Sequence, residues 1–429
     1  MGAFNSVAKQ RSNSAKLIMA EILMLFIFGI ILPLAAFSWK LNGGSIANLQ
    51  SVTAIAASLA IFIAYLSFRQ LNIFPSAASG GYLLLCLMFS YGIIAACMLM
   101  LRFDYSRLQL LTSAIASVVI STAIQVFFLG KRKSTFGVIS GGRAEFLPLM
   151  PNIHWISLDI SKSISSDIHG VVVDLRADHN RECDSCIAKY ALAGVPIYHA
   201  PDVIEQLTGR VEISHLSENT LGSLNPNDIY LQLKSLTDRI VALLLLIILS
   251  PLLVIIYILI RVDSEGGALF FQQRMGYRAR PFKIYKFRTM IPQPFQSPDN
   301  QASLRSAMTT ENDPRITRVG RFLRRTRLDE LPQLINIFLG EMSFIGPRPE
   351  AEQLSAWYEK EIPFYHYRHI IRPGLTGWAQ VKQGHVAELE DIRSKLHLDF
   401  YYVKNFSFWL DVIITLQTVK IVLTGTGAK

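Results

Sequence analysis

The residues with the clearest chemical potential are the adjacent acids Asp329 and Glu330, with Pro332 following after Leu331. Proline lacks an N–H and fits only the first turn of a helix, so a helix is expected to begin close to the acids. Thr326, three residues before Asp329, has capping-box spacing. Either arrangement puts the pair at a helix amino end, where free N–H groups and the dipole favour anions. A carboxylate can attack phosphorus and form an acyl phosphate, which splits one displacement into two. Neighbouring carboxylates repel, so a divalent cation is expected between them and the phosphates. Mg²⁺, with few protein oxygens and retained waters, suits phosphate chemistry.

Cations crowd these acids in sequence. Arg315, Arg318, Arg321, Arg324, Arg325 and Arg327 recur at spacings near three, which gathers several on one helical face. Most suit anionic headgroups. Arg315 and Arg325 are the candidates to reach a diphosphate, because guanidinium pairs bidentately with phosphate oxygens. Pro347 and Pro349 stiffen the segment carrying Arg348, which suits a fixed phosphate or nucleotide contact. Lys286 and Arg288 are further phosphate candidates, with surface solvation as the alternative.

The elements that must position these residues are set in a hydrophobic chain. Of 429 residues 51% are apolar and 17% charged, and the mean hydropathy is +0.33. That is too apolar for an ordinary soluble enzyme and too charged for a pure transporter. The net charge of +10 fits work against anions, whether lipid headgroups, phosphates or nucleic acid. Four cysteines imply no disulfide framework. Four bilayer-length apolar runs come first, at Leu17–Phe37, Ser51–Phe68, Tyr82–Leu101 and Leu108–Leu129. Lys9, Arg11 and Lys16 precede them and Lys131-Arg132-Lys133 follows, so both flanks read as cytoplasmic and residues 1–133 as a four-helix anchoring bundle. No cleavage-site pattern follows the first run, which reads as an anchor.

Residues 134–233 change texture. Phe136–Ser140, Trp155–Leu158, Val171–Asp174 and Val195–His199 read as buried strands, and Arg181–Ala193 as a helix ending at Gly194. Alternating strands and helices imply a small parallel α/β, degenerate Rossmann-like domain. Ser140-Gly141-Gly142-Arg143 follows the first strand but is not a G-x-G-x-x-G turn. Cys183 and Cys186 read as helix-packing residues, having no second pair.

Residues 234–429 form the third domain. Its opening apolar run, Ile240–Ile260, has basic residues on both sides and Ser250-Pro251 at its middle. Pro removes a helical hydrogen bond and bends the helix. Equal basic flanks with a central break suggest a re-entrant helix that dips into one leaflet and returns, whereas length alone favours an ordinary span. Phe406–Leu423 reads as an amphipathic helix lying in the interface, with packing against the domain's own core as the alternative.

Six motifs then occur in order. They are Phe270–Gly276, Pro281–Met290, Asp313–Arg325, Leu328–Leu334, Met342–Glu350 and Arg372–Val381. The series resembles the bacterial sugar transferase family, the monotopic polyprenyl-phosphate phosphoglycosyl transferases, from about Ser235 onward. The amino-terminal bundle with a small α/β domain resembles the family's long form. The resemblance implies transfer of a sugar-1-phosphate from a UDP-sugar to undecaprenyl phosphate through a covalent aspartyl intermediate on Asp329, with release of UMP. It implies Mg²⁺ held by Glu330, and Pro347-Arg348-Pro349 at the nucleotide side. A re-entrant 240–260 keeps this chemistry on the cytoplasmic face of the inner membrane, where nucleotide sugars are present, with membrane lipid and no nucleic acid as partner. A homodimer through the middle domain is the assembly considered. The product would start exopolysaccharide, capsule or O-antigen repeat units.

Two positions depart from the family text. Arg327 stands where serine usually precedes Leu-Asp-Glu, and Lys382-Gln383-Gly384-His385 replaces an Asn-Gly-Arg segment. The second falls where substrate selection could reside, so glucose, galactose and N-acetyl or diamino sugars all stay open.

Overall fold

The computed structural model describes residues 23, 27–31, 44–71, 81–124, 134–158, 168–212, 226, 228–291, 315–383 and 389–424. The chain divides into two compact units, Met1–Thr208 and Gly209–Lys429.

In the first unit, three apolar helices follow one another: α1 (Gly44–Leu71), α2 (Gly81–Met100) and α3 (Arg107–Ile124). Nearly all of the first apolar run expected from sequence lies outside the described residues, apart from Leu23 and a π-helical turn at Ile27–Ile31. Lipid tails supply no hydrophobic drive between helices, so packing and hydrogen bonds must hold such a bundle. Tyr91 Oη on α2 lies 2.9 Å from Ser113 Oγ and 3.1 Å from Ser117 Oγ on α3. Between α1 and the start of α3, the Ser106 N–H donates to Thr53 Oγ1 at 2.9 Å.

The same unit contains a four-stranded, wholly parallel sheet. Its strands are β1 (Ser134–Val138), β2 (Ile153–Ser157), β3 (Gly170–Val173) and β4 (Ile197–His199), in the order β2-β1-β3-β4. Side chains alternate across a strand. Val171 and Val173 therefore pack against α4 (Arg181–Leu192), while Val172 packs with Ala200 and Val203 of α5 (Ala200–Thr208). Cys183 and Cys186 are buried free thiols in the α4 core. Gly194, at φ 77°, ends the helix as expected. The loop after β1 is occupied by the protein itself. Asp174 Oδ2 accepts the Arg143 N–H at 2.8 Å, and a Cβ on Gly142 would strike that carboxylate.

The second unit opens on α6 (Asp228–Asp263), a 36-residue helix that continues through Pro251. Proline at 251 cannot donate to the carbonyl of residue 247. The Ser250 hydroxyl donates to Ile247 O at 2.8 Å instead, so the Ser-Pro pair satisfies its own orphaned acceptor. The helix has no break at the position where sequence suggested one. At 1.5 Å per residue α6 is about 54 Å long, and both halves of it pack on the same unit. Ala242, Leu245, Leu246 and Leu249 meet Phe282, Ile284, Leu334 and Ile337, whereas Ile256 and Ile260 meet Ala268, Phe287 and Leu323. Its other face exposes large apolar side chains from Ile240 to Val262. Three described helices are long and apolar enough to cross a membrane, spanning Leu49–Phe68, Arg107–Ile124 and Asp228–Asp263, with Cys86–Met100 a shorter apolar helix. The protein is membrane-associated.

The rest of the unit alternates small sheets and helices. An antiparallel hairpin, β5 (Leu269–Met275) with β6 (Pro281–Phe287), leads to α7 (Arg318–Thr326) and α8 (Gln333–Leu339). A short parallel pair, β7 (Ser343–Ile345) with β8 (Gly374–Thr376), flanks α9 (Glu352–Glu361). Then come α10 (Trp378–Lys382), α11 (Leu389–Lys404) and α12 (Phe408–Thr424). On α12, Leu410, Asp411, Ile413 and Ile414 are buried while Phe408 and Val419 are exposed. Asp411 ties the helix down, accepting from Tyr402 Oη and Tyr230 Oη at 2.6 Å and pairing with Lys234 at 2.8 Å. Residues 209–212 belong to this unit. Gly209 O accepts from Trp378 Nε1 at 2.9 Å, and the Val211 N–H donates to His397 O.

Candidate active site

Three elements converge on Glu330. Along β6, Phe282, Ile284 and Lys286 share one face, and the first two are buried in the core against α8. That alternation carries the Lys286 stem inward so that its ammonium reaches Glu330 Oε1 at 3.2 Å. Asn336, fully buried on α8, locks the strand to the helix. It accepts the Tyr285 N–H at 3.1 Å and donates to Lys283 O at 2.7 Å and to Glu341 Oε2 at 2.8 Å.

The acids themselves lie between two helices. Arg327 ends α7 in the left-handed region (φ 58°, ψ 17°), and Leu328–Glu330 form their own 3-10 turn before Pro332 and α8. This corrects the expected cap. Thr326 is the last residue of α7, where its hydroxyl donates back to Phe322 O at 2.8 Å and to Leu323 O at 3.3 Å. The dyad precedes the amino end of α8 rather than capping it, because the chain must reverse at Arg327 first.

The third element is the loop after β7. Gly346 and Gly374 lie backbone to backbone, where any Cβ would collide with the facing main chain. That approach leads Pro347-Arg348-Pro349 directly off the β7–β8 pair, and Arg348 Nη2 reaches Glu330 Oε1 at 3.0 Å. Arg327 adds a third cation at 3.8 Å. Burial alone would raise the Glu330 carboxyl, but Arg348, Lys286 and Arg327 outweigh it and hold the group well below the usual carboxylate range. Asp329 goes the other way. Burial and the charge on Glu330 push it up, against Lys286, Arg327 and Arg324. Its Oδ1 is buried with no hydrogen-bond partner. Buried polar atoms are almost always paired, so this oxygen is open to water, an ion or a reacting group. Lys286 is shifted down by burial, which Glu330 only partly offsets.

Arg274, Ile284, Lys286, Gln333, Arg348 and Pro349 line a small crevice that neither acid lines, although Lys286 and Arg348 both reach Glu330. Arg274 and Gln333 were not among the residues singled out from sequence. The available signal was Arg274 within the Phe270–Gly276 motif, a charged residue in an otherwise strand-like run. Arg288, expected at the phosphates, lies elsewhere. Its guanidinium donates to Glu265 O at 2.7 Å and to Ser264 O and Oγ at 2.8 Å, fastening the end of α6 to the end of β6. Arg325 is exposed on α7 with Arg318 and Arg321. Arg315 sits at the start of its described segment, its carbonyl accepting the Ile291 N–H at 2.9 Å. Lys382 lies over the Trp378 ring at 4.7 Å, and Gln383 Nε2 donates to Asp391 O. Gly384 and His385 lie outside the described residues.

Among the described residues no group of three or more His, Cys, Asp or Glu forms a closed metal site. Two neighbouring carboxylates, one with a free buried oxygen, nevertheless fit Mg²⁺, which commonly takes one or two carboxylates plus substrate phosphates and water.

The chain matches the bacterial sugar transferase family over residues 229–425. It is 40% identical over 361 residues to the UDP-N-acetylgalactosamine-undecaprenyl-phosphate N-acetylgalactosaminephosphotransferase of Aeromonas hydrophila, covering 83% of each chain. The UDP-glucose:undecaprenyl-phosphate glucose-1-phosphate transferase of Escherichia coli is 34% identical over 263 residues, 59% of this chain and 54% of that protein. The exopolysaccharide production protein PSS of Rhizobium leguminosarum is 43% identical over 203 residues, which is 46% of this chain but 98% of that protein. With a family match over residues 229–425 and a likeness that runs across most of both chains, the protein is a sugar transferase belonging to the bacterial sugar transferase family, in its long form.

Proposed function

We propose that this enzyme transfers a sugar-1-phosphate from a UDP-sugar to undecaprenyl phosphate in two displacements at Asp329. The observation that carries the reading is the contrast within the dyad. Glu330 is held ionised by three cations, while Asp329 keeps a buried oxygen with no structural partner. In the first displacement an Asp329 carboxylate oxygen attacks the sugar-bearing phosphorus. The bond from that phosphorus to the UMP oxygen breaks, and UMP leaves. In the second, the lipid phosphate oxygen attacks the same phosphorus and the Asp329 carboxylate is regenerated, giving undecaprenyl diphosphate sugar. Arg348 and Lys286 offset charge that builds on the phosphoryl oxygens. Mg²⁺, held by Glu330 and Asp329 together with substrate phosphates, would supply charge neutralisation there.

The substrate in the Aeromonas relative's name makes UDP-N-acetylgalactosamine the first donor to test, with UDP-glucose second. The re-entrant reading of α6 rests on Pro251 as the point of bending and on the packing of both halves of the helix on one unit. In that arrangement the amino-terminal helices pass through the inner membrane several times and the dyad faces the cytoplasm. Residues 1–133 anchor, the α/β part of the first unit from 134 to 208 forms a Rossmann-like domain that would serve a homodimer, and Gly209–Lys429 carries the chemistry. The lipid-linked sugar would begin exopolysaccharide, capsule or O-antigen units. UMP release from a panel of UDP-sugars, with purified protein, Mg²⁺ and undecaprenyl phosphate, tests the reading. Release with none of them would overturn it.

A further inference from the structure

The segment Pro347–Glu350 makes none of the hydrogen bonds of a regular element, yet each of its four carbonyls is held. Pro347 O accepts the Gly374 N–H at 2.9 Å and Glu350 O accepts the Met275 N–H at 3.0 Å. The two between them are taken by guanidinium groups. Arg368 Nη2 donates to Arg348 O at 2.9 Å, and Arg274 Nη1 donates to Pro349 O at 2.7 Å.

Arg368 does not line the crevice and is costly to bury. Only 3% of it is exposed, and its partner Asp399 on α11 is 2% exposed. Its Nε and Nη2 both donate to Asp399 Oδ2, at 3.1 and 2.7 Å, and Nη1 donates to Tyr365 Oη at 2.8 Å. An ion pair at this depth is a poor source of stability, and apolar residues of similar volume often do as well. What the planar fork provides is direction. With Asp399 and Tyr365 fixing its plane, the remaining Nη2 donor points at one carbonyl, that of Arg348.

We propose that Arg368, oriented by Asp399 and Tyr365, is a positioning residue that fixes the Arg348 backbone so that the Arg348 side chain meets Glu330. This rests on the active-site reading above. A misplacement of about 1 Å at a catalytic group can cost on the order of a hundredfold in rate. Arg368→Lys keeps the charge but loses the fork.

The test combines hydrogen–deuterium exchange over residues 343–353 with UMP-release kinetics in a double-mutant cycle. Arg368→Lys should raise exchange in that segment while leaving α7 and α8 unchanged. It should lower kcat/KM by about a hundredfold in the native background, and by less than about threefold in an Arg348→Lys background, because both changes act through one contact. Equal losses in the two backgrounds, or unchanged exchange in 343–353, would overturn the proposal. If Arg368→Lys fails to fold, Tyr365→Phe removes one anchor of the fork and should give the same pattern at smaller amplitude. If the native protein releases no UMP from any UDP-sugar, the functional reading fails, and the exchange result alone decides the positioning role.

Discussion

Replacing Arg348 by methionine keeps the length of the side chain and removes its charge. In the structure Arg348 Nη2 is 3.0 Å from a Glu330 carboxylate whose side chain is only 9% exposed. Breaking one partner from such a buried pair costs about 3–5 kcal/mol when nothing else compensates. Here Lys286 remains at 3.2 Å and the half-exposed Arg327 at 3.8 Å, so the loss should fall below that range, at about 2–3 kcal/mol in stability. Rate should suffer more than stability implies. The guanidinium also faces the crevice, and losing one donor to a developing phosphoryl charge typically costs about 10²–10³ in kcat. The assay is UMP release at saturating Mg²⁺ with protein in nanodiscs, beside thermal unfolding of the same preparation. Arg348→Lys should recover part of the stability and little of the rate, since an ammonium cannot reproduce the fork. An Arg348→Met enzyme within about threefold of native kcat/KM would refute the role assigned to this contact.

Other perturbations probe the frame around the dyad. Burial alone would raise the Glu350 carboxyl from its ordinary 4.5, yet Lys395 at 2.6 Å and Arg368 bring it down to about 2. A lowered carboxyl contributes stability above its unfolded value and loses it as pH falls through the folded one. About 3 kcal/mol should therefore disappear between roughly pH 5 and pH 2, and Glu350→Gln should flatten that slope in denaturation curves; an unchanged slope would contradict the pairing. Gly320→Ala should destabilise by about 1–3 kcal/mol, because the new Cβ meets the Thr289 carbonyl against which α7 packs; an unchanged melting temperature would show that α7 can shift freely. Asn336→Leu strands the Tyr285 N–H and the Lys283 carbonyl, so a loss of about 3 kcal/mol with lowered activity is expected; native stability would deny it the strand-to-helix lock.

Local chemistry made some features legible in sequence and hid others. The sheet strands showed because runs such as Val171-Val172-Val173 are apolar on both faces, as a covered parallel strand must be. Gly194 showed as a helix stop because few other residues adopt its backbone angles. Pro332 pointed to a helix start near the acids, but the reversal at Arg327 was invisible, since a left-handed arginine has no sequence signature. Lys286 and Arg288 look equivalent two residues apart, yet Lys286 reaches Glu330 and Arg288 reaches the end of α6. That difference arises from what lies across each strand face. The partners of Glu330 come from positions 44 and 18 residues away, so only tertiary packing brings them together. Ser250-Pro251 read as a break because the missing donor was evident, whereas the compensating hydroxyl bond to Ile247 depends on a rotamer.

The account turns on whether Asp329 carries the phosphosugar. Native protein incubated with a UDP-sugar radiolabelled in the sugar, with Mg²⁺ and without lipid acceptor, should release UMP in a burst of about one equivalent per active site and retain label on the chain. Added undecaprenyl phosphate should then discharge that label, and Asp329→Asn should show neither burst nor label. Label retained by Asp329→Asn, or full turnover by that variant, would contradict the two-step mechanism at this residue.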